Sequence, residues 1–248
     1  MSENNYFKFS NNVIIVPLFF VLTIWTVFLI EIRLGVNFNK FGIFPRTFSG
    51  LRGVLFSPFL HGSLEHLYHN TIPLTVLSAA LVYFYREIAF KILIWGIFLS
   101  GIITWCIGRD SYHIGASGLI YVLVSFVFFK GIFTKYYRLV ALSLIVVFVY
   151  GSMLWYVFPI KEGVSWEGHL GGFLTGLALA FLIKVPIPKP KKYAWEQEDY
   201  NEEEDEFLKH FDADGNFIES KPEPSPDDAA TVTYRYTYKP SKDNLGKE

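Results

Sequence analysis

Residues 115–129 read Gly-Ala-Ser-Gly-Leu-Ile-Tyr-Val-Leu-Val-Ser-Phe-Val-Phe-Phe. The first four form a GxSG pattern, in which flanking glycines let other backbone approach the serine closely. The rest, Leu119 to Phe129, has the apolar composition of a bilayer-spanning segment. A serine needs a base before it is a nucleophile. The best-placed candidate is His169, which opens a second apolar run from Leu170 to Ile183. Hydrolysis inside a membrane is the question these two segments raise.

Working outward, a hydrocarbon core about 30 Å thick needs about 20 mostly apolar helical residues. Six runs are candidates, roughly 12–31, 66–85, 88–108, 115–133, 138–158 and 167–185. They predict an all-α membrane protein: a six-transmembrane-helix bundle over residues 12–187, after a cytoplasmic N-terminal segment (1–11) and before a mostly disordered C-terminal tail (188–248). Val13 to Ile30 follows a polar start and lacks a small-x-small cleavage site, so it reads as a retained anchor. With the N-terminus cytoplasmic, ten Lys/Arg fall inside and six outside, four of the six in the long loop 32–62. The bias favours cytoplasmic termini. The expected location is the bacterial inner (plasma) membrane, as an integral multi-pass protein.

The composition is uneven. Residues 1–192 carry sixteen Lys/Arg against seven Asp/Glu, and 193–248 carry six against sixteen, so a net charge of -1 hides a basic body and an acidic tail. That asymmetry argues against one uniform soluble domain. The tail is rich in acidic residues and proline, with a Thr231–Tyr238 segment of strand-like alternation and an Asp212-Ala-Asp214-Gly215 stretch that lacks the glycine position and the final Glu of a calcium loop. A partner for this tail is one expectation; a nucleic-acid role is not. The single cysteine, Cys106, excludes an intramolecular disulfide framework and reads as packing.

On its own GxSG arises by chance about once in twelve chains of this length, with Gly and Ser each near ~7% usage. Position adds weight to it. Tyr121 lies one helical turn beyond Ser117, on the same face, where its ring can support an imidazole. His169 heads a stripe of Gly172, Gly176 and Ala180 that allows nearly backbone-to-backbone helix contact. An ionisable group at the end of such a stripe is a functional candidate. A third cluster, His61-Gly-Ser-Leu-Glu-His66-Leu-Tyr-His69-Asn70, puts His66 and Asn70 one turn apart, able to aim donors at one point. Acyl transfer needs such donors for its oxyanion. No HExxH pattern is present, so His69 reads as a polar neighbour, and no metal or cofactor is expected.

Taken in order, His61-x4-His66-x3-Asn70, Gly115-Ala-Ser117-Gly118 with Tyr121, and His169-x2-Gly172-x3-Gly176 closely resemble the rhomboid intramembrane serine proteases. The match covers about residues 12–185. The resemblance implies a serine-type endopeptidase with a Ser-His dyad and no carboxylate third member: Ser117 as nucleophile, His169 as general base and then acid, and His66, Asn70 and the Ser117 N–H at the oxyanion. Tyr121 would pack on His169, with Gly115, Gly118, Gly172, Gly176 and His61 in support. The family often carries a Trp-Arg pair in the first loop. Here Leu51-Arg52-Gly53 is the nearest equivalent, so Arg52 carries over and the tryptophan does not. The resemblance also supplies the partners: membrane lipids, and single-span membrane proteins cleaved in or near the span. A catalytically silent relative that escorts membrane clients is the alternative, and retention of both Ser117 and His169 tells against it. A small transporter would need an ionisable residue near the bilayer midplane, and none stands out.

Overall fold

The computed structural model describes residues 7–186, 193–212 and 214–218. Among them seven α-helices occur: α1 (Asn12–Leu34), α2 (Gly53–Phe56), α3 (Leu64–Phe84), α4 (Ala89–Ile107), α5 (Ser117–Thr134), α6 (Tyr137–Tyr150) and α7 (Trp166–Leu182). Six are long, and they correspond to the six apolar runs. Four segments are long and apolar enough to cross a membrane: Asn12–Leu34, Ala89–Ile107, Ser117–Thr134 and Tyr137–Val157. The other two carry polar groups along their first turns, His66, His69 and Asn70 on α3 and Glu167 and His169 on α7, and α7 has only 17 residues. The chain is a multi-pass, all-helical membrane protein.

Local chemistry sets the helix ends nearest the site. The Ser63 hydroxyl accepts the His66 N–H and caps α3, with Glu65 in the first turn; Ser165 accepts the Gly168 N–H and caps α7, with Glu167 in the first turn. Gly35, at φ 59°, ends α1 in a left-handed turn.

Helix α5 is central. Over half of its span (56%) is buried, against 22–33% for the other three candidate spans. Exposed Ile14, Leu18, Phe19 and Leu22 on α1, Ile94 and Trp95 on α4, and Leu144 and Phe148 on α6 form the apolar outer surface that a bilayer would cover. On the inner side α7 packs against α5 through Gly172 and Gly176. A Cβ at Gly172 would collide with the Gly118 carbonyl, and one at Gly176 with the Val122 carbonyl. Polar ties run along the same contact: Ser125 Oγ donates to Phe173 O (2.8 Å), and Lys130 Nζ to Ala180 O (2.9 Å) and Ile183 O (2.6 Å). Helix α1 packs on α3, where Trp25 Nε1 donates to Thr71 Oγ1 (3.1 Å).

Three details depart from the sequence reading. The fifth run is α-helical only to Tyr150 and tightens into a 3-10 segment, Gly151–Val157. Cys106 faces outward on α4 and is exposed, so it is not interior packing. Lys130 is buried, its ammonium used to satisfy carbonyls at the end of α7.

Contacts divide the chain at Lys189/Pro190. In the second unit, three single 3-10 turns (Ala194–Glu196, Glu202–Glu204, Leu208–His210) precede a bridge between Phe211 and Phe217. Asp212 Oδ1 accepts the Asn216 N–H (2.8 Å) to close the turn. The Thr231–Tyr238 strand reading and the rest of the distal tail lie outside the described residues.

Candidate active site

Helix α5 begins at Ser117, so the Ser117 and Gly118 N–H groups have no intrahelical acceptor, and the positive end of the helix dipole lies at the serine. Gly115, at φ 110°, makes the turn into it. Few side chains tolerate that angle. Its N–H donates to Ser57 O (2.8 Å), and that bond holds the loop onto the connection between α1 and α3. Ser117 is half-buried.

His66 and Asn70 both converge on this turn. A Cβ at Gly115 would lie 2.6 Å from His66 Nε2 and 3.4 Å from Asn70 Nδ2. Asn70 Nδ2 in turn donates to His61 Nε2 (3.0 Å). His61 is buried in the loop ahead of α3, and burial, with His66 as a lesser cause, pulls its ring down to about 3. It is therefore neutral, and because Nε2 accepts from Asn70 its proton sits on Nδ1. His69 is exposed.

His169 is buried on the first turns of α7, its ring stacked on Tyr121 at a centroid distance of 4.3 Å and an interplanar angle of 15°. Its Nδ1 lies 2.9 Å from Tyr156 O. A carbonyl can only accept, so Nδ1 carries the proton and Nε2 presents a lone pair. The Tyr121 hydroxyl donates to Met153 O (2.6 Å). Both carbonyls come from the 3-10 segment after α6, so the unravelled end of α6 orients His169 and its stacking partner. No hydrogen bond joins Ser117 Oγ to the His169 ring; catalytic hydrogen bonds are often long before substrate is bound.

Beside Ser117 lies a cavity of about 30 Å³, with Ser57, Ser100, Thr104, His113 and Ser165 in its lining. About 10–15 Å³ holds one water, so there is room for water against several hydroxyls. Thus Ser117, His169, Tyr121, His66, Asn70, His61, Gly115, Gly118 and Gly172 are brought to one end of the bundle, and Gly176 lies one turn further along the α5–α7 contact. Arg52 is elsewhere: Nη2 donates to Lys40 O (3.0 Å) and its guanidinium sits 4.8 Å over the Phe41 ring, holding the first loop to itself. Sequence reading missed the Tyr156 and Met153 carbonyls, and also His113, Ser165 and Glu167.

Residues 49–185 match the rhomboid domain family. Among similar proteins are uncharacterized proteins of Mycobacterium bovis and Mycobacterium tuberculosis, each 37% identical over 183 residues, covering 69% of this chain and 75% of the relative. An uncharacterized protein of Mycobacterium leprae is 36% identical over 152 residues, covering 57% of this chain and 59% of its own length.

Proposed function

We propose, from the premise that the chain belongs to the rhomboid family, that it is an intramembrane serine endopeptidase that cleaves single-span membrane proteins in or near their spans. The observation that carries the reading is the His169 arrangement. Nδ1–H is committed to the Tyr156 carbonyl and the ring is stacked on Tyr121, so Nε2 is the free base at the end of the bundle where α5 opens with Ser117.

The steps follow from those positions. Nε2 of His169 takes the hydroxyl proton as Ser117 Oγ attacks the peptide carbonyl. The Tyr156 carbonyl holds the tautomer, the task a carboxylate performs in a triad. Negative charge gathers on the former carbonyl oxygen, where the Ser117 N–H, Asn70 Nδ2 and His66 are the available donors. The imidazolium then gives its proton to the leaving amine, and the C–N bond breaks to leave an acyl-serine. Water, activated by neutral His169, hydrolyses that ester and returns the proton to Ser117 Oγ. The hydroxyl-lined cavity beside Ser117 suits a water supply at a site where lipid excludes bulk solvent. A helical substrate has its carbonyls hydrogen-bonded, so small or helix-breaking residues at the cleavage point are favoured.

In this reading six helices span the bilayer and both termini are cytoplasmic. The test is labelling of the detergent-solubilised protein with a serine-reactive fluorophosphonate, together with cleavage of a single-span model substrate. Wild-type protein should do both, and Ser117→Ala and His169→Ala neither. Absence of both activities in the intact protein would favour the silent, client-binding alternative.

A further inference from the structure

Four residues before Ser117 stands His113, 4% exposed, a histidine the reaction above does not use. Its backbone pairs with the first loop: His113 N–H donates to Ile43 O (2.8 Å) and Ile43 N–H to His113 O (3.0 Å). Its ring lies between the loop that presents the serine and the helix that presents the base. Nε2 is 3.1 Å from Arg109 O, which can only accept, so Nε2 carries the proton. Nδ1 is then an acceptor, and the Ser165 hydroxyl, 2.6 Å away, donates to it.

The ring of bonds closes through the start of α7. Gly168 N–H donates to Ser165 Oγ (3.3 Å), Ser165 to His113, His113 to Arg109 O, and Arg109 N–H to Glu167 Oε1 (3.2 Å), the residue that precedes Gly168. Every donor and acceptor in this circuit has one consistent direction. Arg109 adds Nη2 to Val164 O (2.7 Å) and an ion pair to the buried Glu167 (3.7 Å). Burial holds the His113 ring below the ordinary histidine range, opposed by its bond to Arg109 O and by Glu167. The neutral form is the one the circuit requires.

We propose that His113 is a positioning residue: through Ser165 and Arg109 it fixes the first turn of α7, and with it His169, relative to the loop that carries Ser117. This rests on the Ser117–His169 reading. The glycine face of α7 sets how closely it approaches α5, but glycines offer few side chains to resist sliding. Polar groups must add the register: Ser125 and Lys130 tie the part of α7 beyond His169, and the circuit lies beside Ser117 and His169, with His113, Ser165 and Ser117 lining one cavity.

The experiment is the rate of fluorophosphonate labelling of Ser117 in the solubilised full chain, with thermal stability measured alongside. A misplacement of about 1 Å costs about 10²-fold. On that scale His113→Phe and Ser165→Ala should each slow labelling by about 10- to 100-fold. Because one circuit is broken either way, the double variant should be no slower than the slower single. Ser165→Thr, which keeps the hydroxyl, should restore the rate. Ser165→Asp, which can cap α7 but cannot donate to neutral His113, should stay slow. His113→Phe labelling as fast as wild type, Ser165→Asp labelling as fast as wild type, or losses that multiply in the double variant would each overturn the proposal. Should His113→Phe fail to fold, the Ser165→Thr and Ser165→Asp pair decides alone. A wild-type chain that does not label overturns the peptidase reading and this role with it; a labelling wild type with unaffected variants overturns this role alone.

Discussion

Asn70 has two amide protons and a use for each. One is given to His61 Nε2, and the other faces the turn at Gly115, where an oxyanion would form. Asn70→Ala is therefore expected to lower kcat by about 10²–10³, the usual loss for one oxyanion donor, with a stability loss no larger than the about 1–3 kcal/mol of leaving buried His61 Nε2 unpaired; a collapse of stability with kcat preserved in the folded fraction would make Asn70 structural. His61 acts through Asn70, and its own protonation is disfavoured by burial. Its ring titrates near 3 in the folded chain against about 6.5 unfolded, so the folded state binds fewer protons between those values. Its contribution to stability is complete above about pH 6.5 and is lost as pH falls towards 3. Melting curves from pH 7 to 4 should fall less steeply for His61→Gln than for wild type; parallel curves would show that the ring does not drive the acid loss. The meeting of Ser117, His169, His66 and Asn70 at one end of the bundle was legible because each side chain has a recognisable chemistry at a recognisable spacing. The Tyr156 and Met153 carbonyls were not, because every residue carries a carbonyl and no residue type signals which one will accept a bond. His113 was passed over for a related reason: its partners, Arg109 O and Ser165, lie on elements whose meeting only the fold decides.

At the scale of elements, α7 is held at both ends by different means. Near the dyad a steric hold acts beside the His113–Ser165 circuit. Gly172 faces the Gly118 carbonyl with no space for a methyl group, and that carbonyl belongs to the helix backbone and cannot rotate away. Gly172→Ala must push α7 off α5, costing both stability and labelling rate. Gly62→Ala is the control: its Cβ would meet only the end of the Ile114 side chain at 3.5 Å, an ordinary contact, and it should behave as wild type. Equal behaviour of the two variants would show that the glycine face does not set the dyad. At the far end the hold is polar, with Lys130 satisfying the Ala180 and Ile183 carbonyls. Lys130→Met leaves buried carbonyls unpaired, a loss of about 1–3 kcal/mol. About 14 residues, or about 21 Å of helix, separate that end from His169. The melting temperature should therefore drop while labelling of the folded protein at low temperature keeps its rate. Loss of labelling in proportion to Gly172→Ala would mean the two ends are coupled. The glycine stripe was visible as a pattern, and so were the six apolar runs. The 3-10 close of α6 was not, because Gly151–Val157 continues the same candidate span, and hydropathy does not distinguish 3.0 from 3.6 residues per turn.

For the whole molecule, the distribution of charge and the position of the site make one joint demand. The end of the bundle that holds Ser117 also holds the first loop and the 159–165 connection, and charge bias puts that end opposite to the more basic one. In the proposed six-span topology α7 crosses the membrane, so positions 162 and 199 should be reached from opposite sides. Replacing the native thiol by Cys106→Ser and adding Glu162→Cys or Asp199→Cys one at a time gives two single-cysteine reporters in exposed positions. In intact spheroplasts a membrane-impermeant maleimide should label position 162 and not 199, and permeabilisation should open 199. The reverse pattern would turn the molecule over and put the hydrolytic end in the cytoplasm. Labelling of both in intact cells would mean that the chain does not cross the membrane between positions 162 and 199, and so would remove α7 as a span, a helix of 17 residues with a polar first turn. The polar first turns of α3 and α7 carry the proposed site. Three of the residues that weaken α3 and α7 as membrane signals, His66, Asn70 and His169, are the ones the proposed reaction at the bilayer surface would need there.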